Sequence, residues 1–131
     1  MRYVTISQPC AYAAQTARME TLGELQRLFA SLLPALIQEA HTLGFTVRLG
    51  EAYRPPETAR LYALQGIGIA NSLHCDRLAI DLILDRDGVW QKNTETYLPL
   101  GEFWEKLHPL ARWGGRFRDG NHFSLAHGGA R

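Results

Sequence analysis

The stretch Leu78-Ala-Ile-Asp81-Leu-Ile-Leu84, followed by Asp85-Arg-Asp87-Gly88, decides the fold. A short apolar run closed by turn formers predicts a strand rather than a piece of helix, and its apolar character on both faces predicts a central one. Asp85 to Gly88 superficially matches the start of a calcium loop but lacks the later ligands, so a hairpin turn is expected. Asp81 breaks the pattern. A carboxylate in the middle of an apolar strand requires a partner, because taking it out of water unpaired is costly.

Upstream, Phe45 to Gly50 alternates bulky and polar residues in the manner of a strand and leads into Glu51-Ala-Tyr-Arg54, which puts Arg54 at a strand end. Pro55-Pro56 suits the first turn of a helix over roughly Pro56 to Gln65, closing in the flexible Gly66-Ile-Gly68. Before this, Thr21 and Glu24 have the spacing of a capping box. Leu22, Leu25, Leu28, Phe29, Leu32, Leu33, Leu36, Ile37, Ala40 and Leu43 then recur at helical steps up to Gly44. Pro34 interrupts this run and predicts a kink, or a break into two helices, near Ser31. Tyr3 to Ile6 reads as a short β-like start. Downstream, Pro99 to Leu107 reads as a helix carrying Phe103, Trp104 and Leu107, and a last strand is expected near His122 to Ala126.

Helices first, then strands mixed with helices, predict an α+β fold: a small antiparallel sheet flanked by helices. The 131 residues allow one domain with its own core, residues 1–131, within which residues 1–20 receive no role. An apolar share of 46% and a charged share of 21% are those of an ordinary globular chain, arguing against disorder. With 14 basic and 13 acidic residues there is no field to draw the chain to nucleic acid, so no nucleic-acid partner is expected. No run is long enough to span a bilayer and no secretory signal is visible, so no membrane insertion and a cytoplasmic site of synthesis are expected. Cys10 and Cys75 do not make a disulfide framework and are expected as reduced thiols.

A metal ion is one physical answer to Asp81. His74 precedes the strand, and a turn at Asp76-Arg77 folds it back beside Asp81; His122 supplies a second imidazole. Two imidazoles and one carboxylate leave a fourth position on zinc for water, the arrangement of a catalytic rather than a structural site. The residues alone leave other readings open. His74 as a loop histidine, Asp81 paired with Arg48 or Arg54, Asp119 as a turn residue before Gly120, Arg54 as a structural ion-pair partner and Ser72 as a cap are all compatible with spacing alone. Cys75 and His127 compete as ligands less well, the first because neighbouring side chains diverge in extended chain, the second because it lies near a glycine-rich end. His41 reads as a surface or core-edge residue and His108 as a helix end, and Trp104 and Trp113 as core aromatics, with the rim of a substrate groove as the alternative for either.

The flanking residues are more specific than the spacing. Ser72-Leu-His74-Cys-Asp-Arg-Leu-Ala-Ile-Asp81, then Asp119-Gly-Asn-His122-Phe, with Tyr-Arg54-Pro upstream and Trp113-Gly-Gly115 before the last motif, resemble the VanX/VanY-type zinc peptidases. That family comprises D-alanyl-D-alanine carboxypeptidases and dipeptidases and includes phage L-alanyl-D-glutamate endopeptidases acting as endolysins. The resemblance covers about residues 45–126. It implies a hedgehog/DD-peptidase-like fold with one zinc ion on the sheet, held by His74, Asp81 and His122. It further implies Asp119 as general base, Arg54 stabilising charge on the substrate carbonyl, and Ser72 contacting substrate beside the metal. Cys75, Asp76 and Arg77 depart from the small or glycine-containing turn of many relatives. Asp119 in place of glutamate occurs among endolysin-like members.

The roles are chemically consistent. Zinc makes hydroxide available near neutral pH, an ionised Asp119 can accept a proton and return it to a leaving amine, and the forked guanidinium of Arg54 suits either an oxyanion or a substrate carboxylate. The implied activity is hydrolysis of peptidoglycan stem peptides between L-alanine and D-glutamate by a monomer, released to the cell wall by a holin. A D-alanyl-D-alanine carboxypeptidase or dipeptidase is the alternative within the class. A zinc-binding recognition module that hydrolyses nothing, as the hedgehog signalling domains are regarded, is the alternative outside it.

Overall fold

The structure is a computed structural model and describes residues 20–130; the expected β-like start at Tyr3 to Ile6 and Cys10 lie outside the described residues. Helix α1 (Leu22–Thr42) begins where the capping box predicts, with Thr21 Oγ1 accepting from the Glu24 backbone N–H at 3.2 Å. It ends before Gly44, whose φ of +93° suits glycine. Of the kink or break expected near Ser31, the break does not occur: α1 runs unbroken through Pro34. Pro34 and Ala30, whose carbonyl loses its helical donor, are both exposed, so water can satisfy the freed group. Leu25, Phe29, Leu36 and Ala40 are buried on either side of the proline and hold both halves against the core.

After α1 come β1 (Thr46–Leu49), α2 (Pro56–Leu64), a 3-10 turn (Leu73–Asp76), β2 (Ala79–Arg86) and β3 (Val89–Gln91). A second 3-10 turn (Thr94–Tyr97), α3 (Leu98–Leu107), β4 (Ala111–Trp113), a third 3-10 turn (Gly114–Phe117) and β5 (His122–Leu125) complete the order. The fold is α+β with an antiparallel sheet, as expected. Strand β2 is its hub, in the order β1-β2-β5-β4 with β3 also paired to β2. The β2–β3 hairpin turns at Asp87 and Gly88, both at positive φ (51° and 76°), the conformation that suits the twist of a two-residue hairpin turn.

Alternation along β2 separates packing from chemistry. Ile80, Leu82 and Leu84 are buried, whereas Asp81, Ile83 and Asp85 are partly exposed. The buried side joins Leu25, Phe29, Leu36, Trp104 and Phe123 in the core, where Trp104 meets Phe29 and Phe123 edge-on at 5.8 and 6.2 Å between ring centres. Trp104 and Trp113 are core aromatics as expected, and each indole N–H is satisfied, by the carbonyls of Ser124 (3.0 Å) and Gly120 (2.7 Å). Asp81 thus emerges from a strand fixed on its other face by the core.

Candidate active site

Three chain segments bring His74, Asp81 and His122 together. Asp81 and His122 face each other in the antiparallel register of β2 and β5, so their side chains leave the same face of the sheet. His74 arrives from the 3-10 turn, capped by Ser72 Oγ accepting from its backbone N–H at 3.2 Å. Arg77, at φ 57°, then reverses the chain into β2. The turn at Asp76-Arg77 folds His74 beside Asp81 as the sequence predicts: Asp81 Oδ1 lies 3.3 Å from His74 Nε2 and 3.4 Å from His122 Nδ1.

The segment after β1 holds this arrangement from below. Gly50 N–H donates to the Asp81 carbonyl at 2.8 Å and Asp81 N–H to the Glu51 carbonyl at 2.9 Å. A Cβ on Gly50 would lie 2.9 Å from that Asp81 carbonyl oxygen, so the approach requires glycine. The next residues turn to the histidine: His74 Nδ1 donates to the Ala52 carbonyl at 2.8 Å, and Arg54 N–H donates to the His74 carbonyl at 3.1 Å. The first of these bonds leaves Nε2 as the atom facing Asp81, the orientation a metal-binding imidazole needs.

Gly114 closes the other side. A Cβ there would lie 2.3 Å from the Asp119 carbonyl oxygen and 2.7 Å from His122 Cβ, and the Asp119 N–H donates to the Gly114 carbonyl at 2.8 Å. This contact brings Asp119 Oδ2 to 4.0 Å from His122 Nδ1, with its side chain 52% exposed. Asp119, Arg54, Ser72 and the His74–Asp81–His122 cluster line one cleft of about 350 Å³ together with Ile67, Ile69 and Phe117.

The alternative partners of Asp81 are engaged elsewhere. Arg48 pairs with Asp85 at 2.6 Å, and Arg54 donates from Nε (2.8 Å) and Nη2 to Glu51 Oε1. Arg54 keeps Nη1 towards Ser72 Oγ, at 3.4 Å. Glu51 is the site residue that sequence reasoning missed; a carboxylate three positions before a candidate catalytic arginine was the available signal. Cys75, next to His74 in the chain, carries a free thiol, His127 is bridged to Ala130, and His108, at the C-terminal cap of α3, accepts from Leu110 N–H at 3.0 Å.

The electrostatics follow from this packing. Burial opposes ionisation of Asp81, but the imidazoles of His122 and His74 outweigh it and bring its pKa to about 2. Burial likewise opposes protonation of His74, yet its hydrogen bonds to Asp81 and Ala52 raise its pKa above the ordinary histidine value. Asp119 is raised, first by burial and further by the neighbouring Asp81, with His122, His74 and Arg54 acting in the opposite sense.

The donor set fits a metal ion. One ligand atom each from His74, Asp81 and His122 can lie within 4.8 Å of one another, and two imidazole nitrogens with a carboxylate oxygen suit a divalent transition metal. Among the described residues, these three form the one such group.

A family model described as D-alanyl-D-alanine carboxypeptidase matches residues 66–125, which contain His74, Asp81, Asp119 and His122. The chain resembles the D-alanyl-D-alanine carboxypeptidase family. Glu51 and Arg54 precede the matched residues. Among solved structures, the L-Ala D-Glu endopeptidase ChiX of Serratia marcescens is similar with a TM-score of 0.58 and 21% identity, over 70% of this chain and 75% of that one, a likeness that shows a shared fold. No curated protein matches. Among the described residues, no helix is long and apolar enough to cross a membrane.

Proposed function

We propose that this chain is a zinc-dependent peptidase of peptidoglycan stem peptides, cleaving between L-alanine and D-glutamate in an endolysin-like role, with residues 1–131 acting as one monomeric domain. The observation that carries it is the convergence of His74 Nε2 and His122 Nδ1 on one oxygen of Asp81, with Asp119 beside them in an open cleft. His74, Asp81 and His122 would hold the ion. When bound, zinc supplies Lewis acidity and lowers the pKa of water from about 16 to about 7.

The chain's own residues do the rest. Asp119 accepts the proton of the attacking water at its carboxylate and delivers it to the leaving amine. Arg54 offers Nη1 to the charge that develops on the carbonyl oxygen, while Glu51 keeps the guanidinium from rotating out of the cleft. Ser72, already capping the 3-10 turn, lines the cleft where the substrate backbone would pass. Ile67, Ile69 and Phe117 give the cleft an apolar rim that excludes water from a bound peptide.

The description of the matching family favours a second reading, removal of terminal D-alanine. Mass spectrometry of muropeptides after incubation with zinc-loaded protein, beside a chelated control, separates the two. Chelator-sensitive release of the stem after L-alanine supports the endopeptidase, and loss of terminal D-alanine moves the protein to the carboxypeptidase. Bound zinc with no cleavage of any muropeptide leaves a non-catalytic zinc-binding module instead.

A further inference from the structure

A second concavity, of about 280 Å³, has Asp119 among its lining residues, as the cleft does. Asp119 is a wall of both cavities, so a chain bound across it would reach from one into the other. The second cavity is preformed. On one side, Tyr97 Oη accepts from Leu84 N–H at 3.1 Å and lies 3.2 Å from the Leu82 carbonyl and 3.3 Å from the Gln91 carbonyl, tying the β3 edge down. On the other, Gly120 packs so closely on Thr94 that a Cβ would meet Thr94 Cα at 2.7 Å. Trp113 Nε1 also holds the Gly120 carbonyl, and Leu82 N–H holds that of Asn121 at 2.9 Å.

Its charge is distinctive. Three cations line the two cavities: Arg54 in the first, Lys92 and Arg118 in the second. Arg54 already has two of its nitrogens on Glu51, so its charge is compensated and its fork is not free to grip a substrate carboxylate. Lys92 and Arg118 make no ion pair among the described residues. Lys92 Nζ is held over the Trp90 ring at 4.4 Å from its centre, and Arg118 stands on a left-handed backbone at φ 65°. Two cations without an ion pair among the described residues thus line this pinned frame beside the single acid Asp119.

We infer that this cavity binds the α-carboxylate of the residue that supplies the leaving amine, which for the proposed reaction is D-glutamate. The inference rests on that reading of the cleft and deepens it. The cavity thereby makes charge at that position a specificity determinant, so that a stem carrying D-isoglutamine, where the carboxylate is amidated, is a poorer substrate.

The test compares zinc-loaded protein on two muropeptides that differ only in D-glutamate against D-isoglutamine. Loss of a charge-assisted hydrogen-bond pair predicts a KM about tenfold higher for the amidated stem, with kcat little changed. In a Lys92→Gln, Arg118→Asn double variant this discrimination should fall to about unity; asparagine tolerates the left-handed backbone, and circular dichroism checks that the variant is folded. Equal KM values in the unaltered protein, or full discrimination in the double variant, overturn the inference while leaving the peptidase reading intact. If neither stem is cleaved, the proposed function fails first. The carboxylate site is then judged by NMR titration of metal-free protein with L-alanyl-D-glutamate and L-alanyl-D-isoglutamine. Preferential shifts at Lys92 and Arg118 with the first support it, and equal or absent shifts overturn it.

Discussion

Glu51 accepts from both Nε and Nη2 of Arg54, the residue three positions ahead of it, and so fixes which edge of the guanidinium faces the cleft. Replacing Glu51 by Gln retains the backbone that supports Asp81 but weakens this grip. The expected result is about a tenfold fall in kcat with metal content unchanged, since one charge-assisted bond is weakened and no ligand is touched. Turnover measured beside zinc stoichiometry checks this. Unaltered turnover would mean that Arg54 needs no such orientation.

Asp119→Ala should separate metal binding from chemistry. The side chain lies 4.0 Å from His122 Nδ1 but stands outside the three-residue donor group, so the variant should keep its zinc and lose about 10²- to 10⁴-fold in kcat. His74→Ala should lose the metal itself, as read by equilibrium dialysis.

The raised pKa of His74 gives a pH dependence with a definite sign. In metal-free protein, the protonated imidazole is stabilised by Asp81, which with a pKa of about 2 stays ionised throughout. That stabilisation is fully present below the unfolded histidine value of about 6.5 and is lost as pH rises through the higher folded value. A metal requires neutral His74 and competes with that proton. Thermal melts from pH 6 to 9 should therefore show metal-free stability falling with pH while the increment produced by zinc grows. An increment that shrinks with rising pH would contradict the assignment of His74 as a ligand.

Gly114→Ala is expected to be costly although the residue touches no substrate. The added methyl group would strike the Asp119 carbonyl and His122 Cβ, neither of which is the end of a flexible side chain. Forced shifts of this kind cost about 1–3 kcal/mol, and here they displace a ligand. A lowered melting temperature together with weakened zinc binding is the outcome to look for.

Much of this was legible before the structure. The Thr21 cap, the apolar periodicity of α1, the β2 run and its Asp87-Gly88 turn each state their conformation locally, in residue types and steps. Asp81 advertised itself by being the wrong residue for its strand. The rest depends on contacts that no local pattern records. Strand β4, three residues long, exists because Ala111 to Trp113 has β5 to pair with, and it carries no alternation long enough to read. Pro34 leaves α1 whole because of which side of the helix faces water, a property of the packed molecule. Glu51 sits in a segment with no period, and its importance comes from Arg54 folding back onto it.

The register of β2 against β5 has a consequence for how this chain can change over evolutionary time. Asp81 meets His122 because the sheet aligns them, and not because a fixed length of chain separates them. Residues added at the exposed Asp87-Gly88 tip would lengthen the connection without moving either side chain. A single residue added or deleted within β5 would turn His122 to the opposite face. Divergence should therefore accumulate as insertions at the hairpin tip, while the two short strands keep their count.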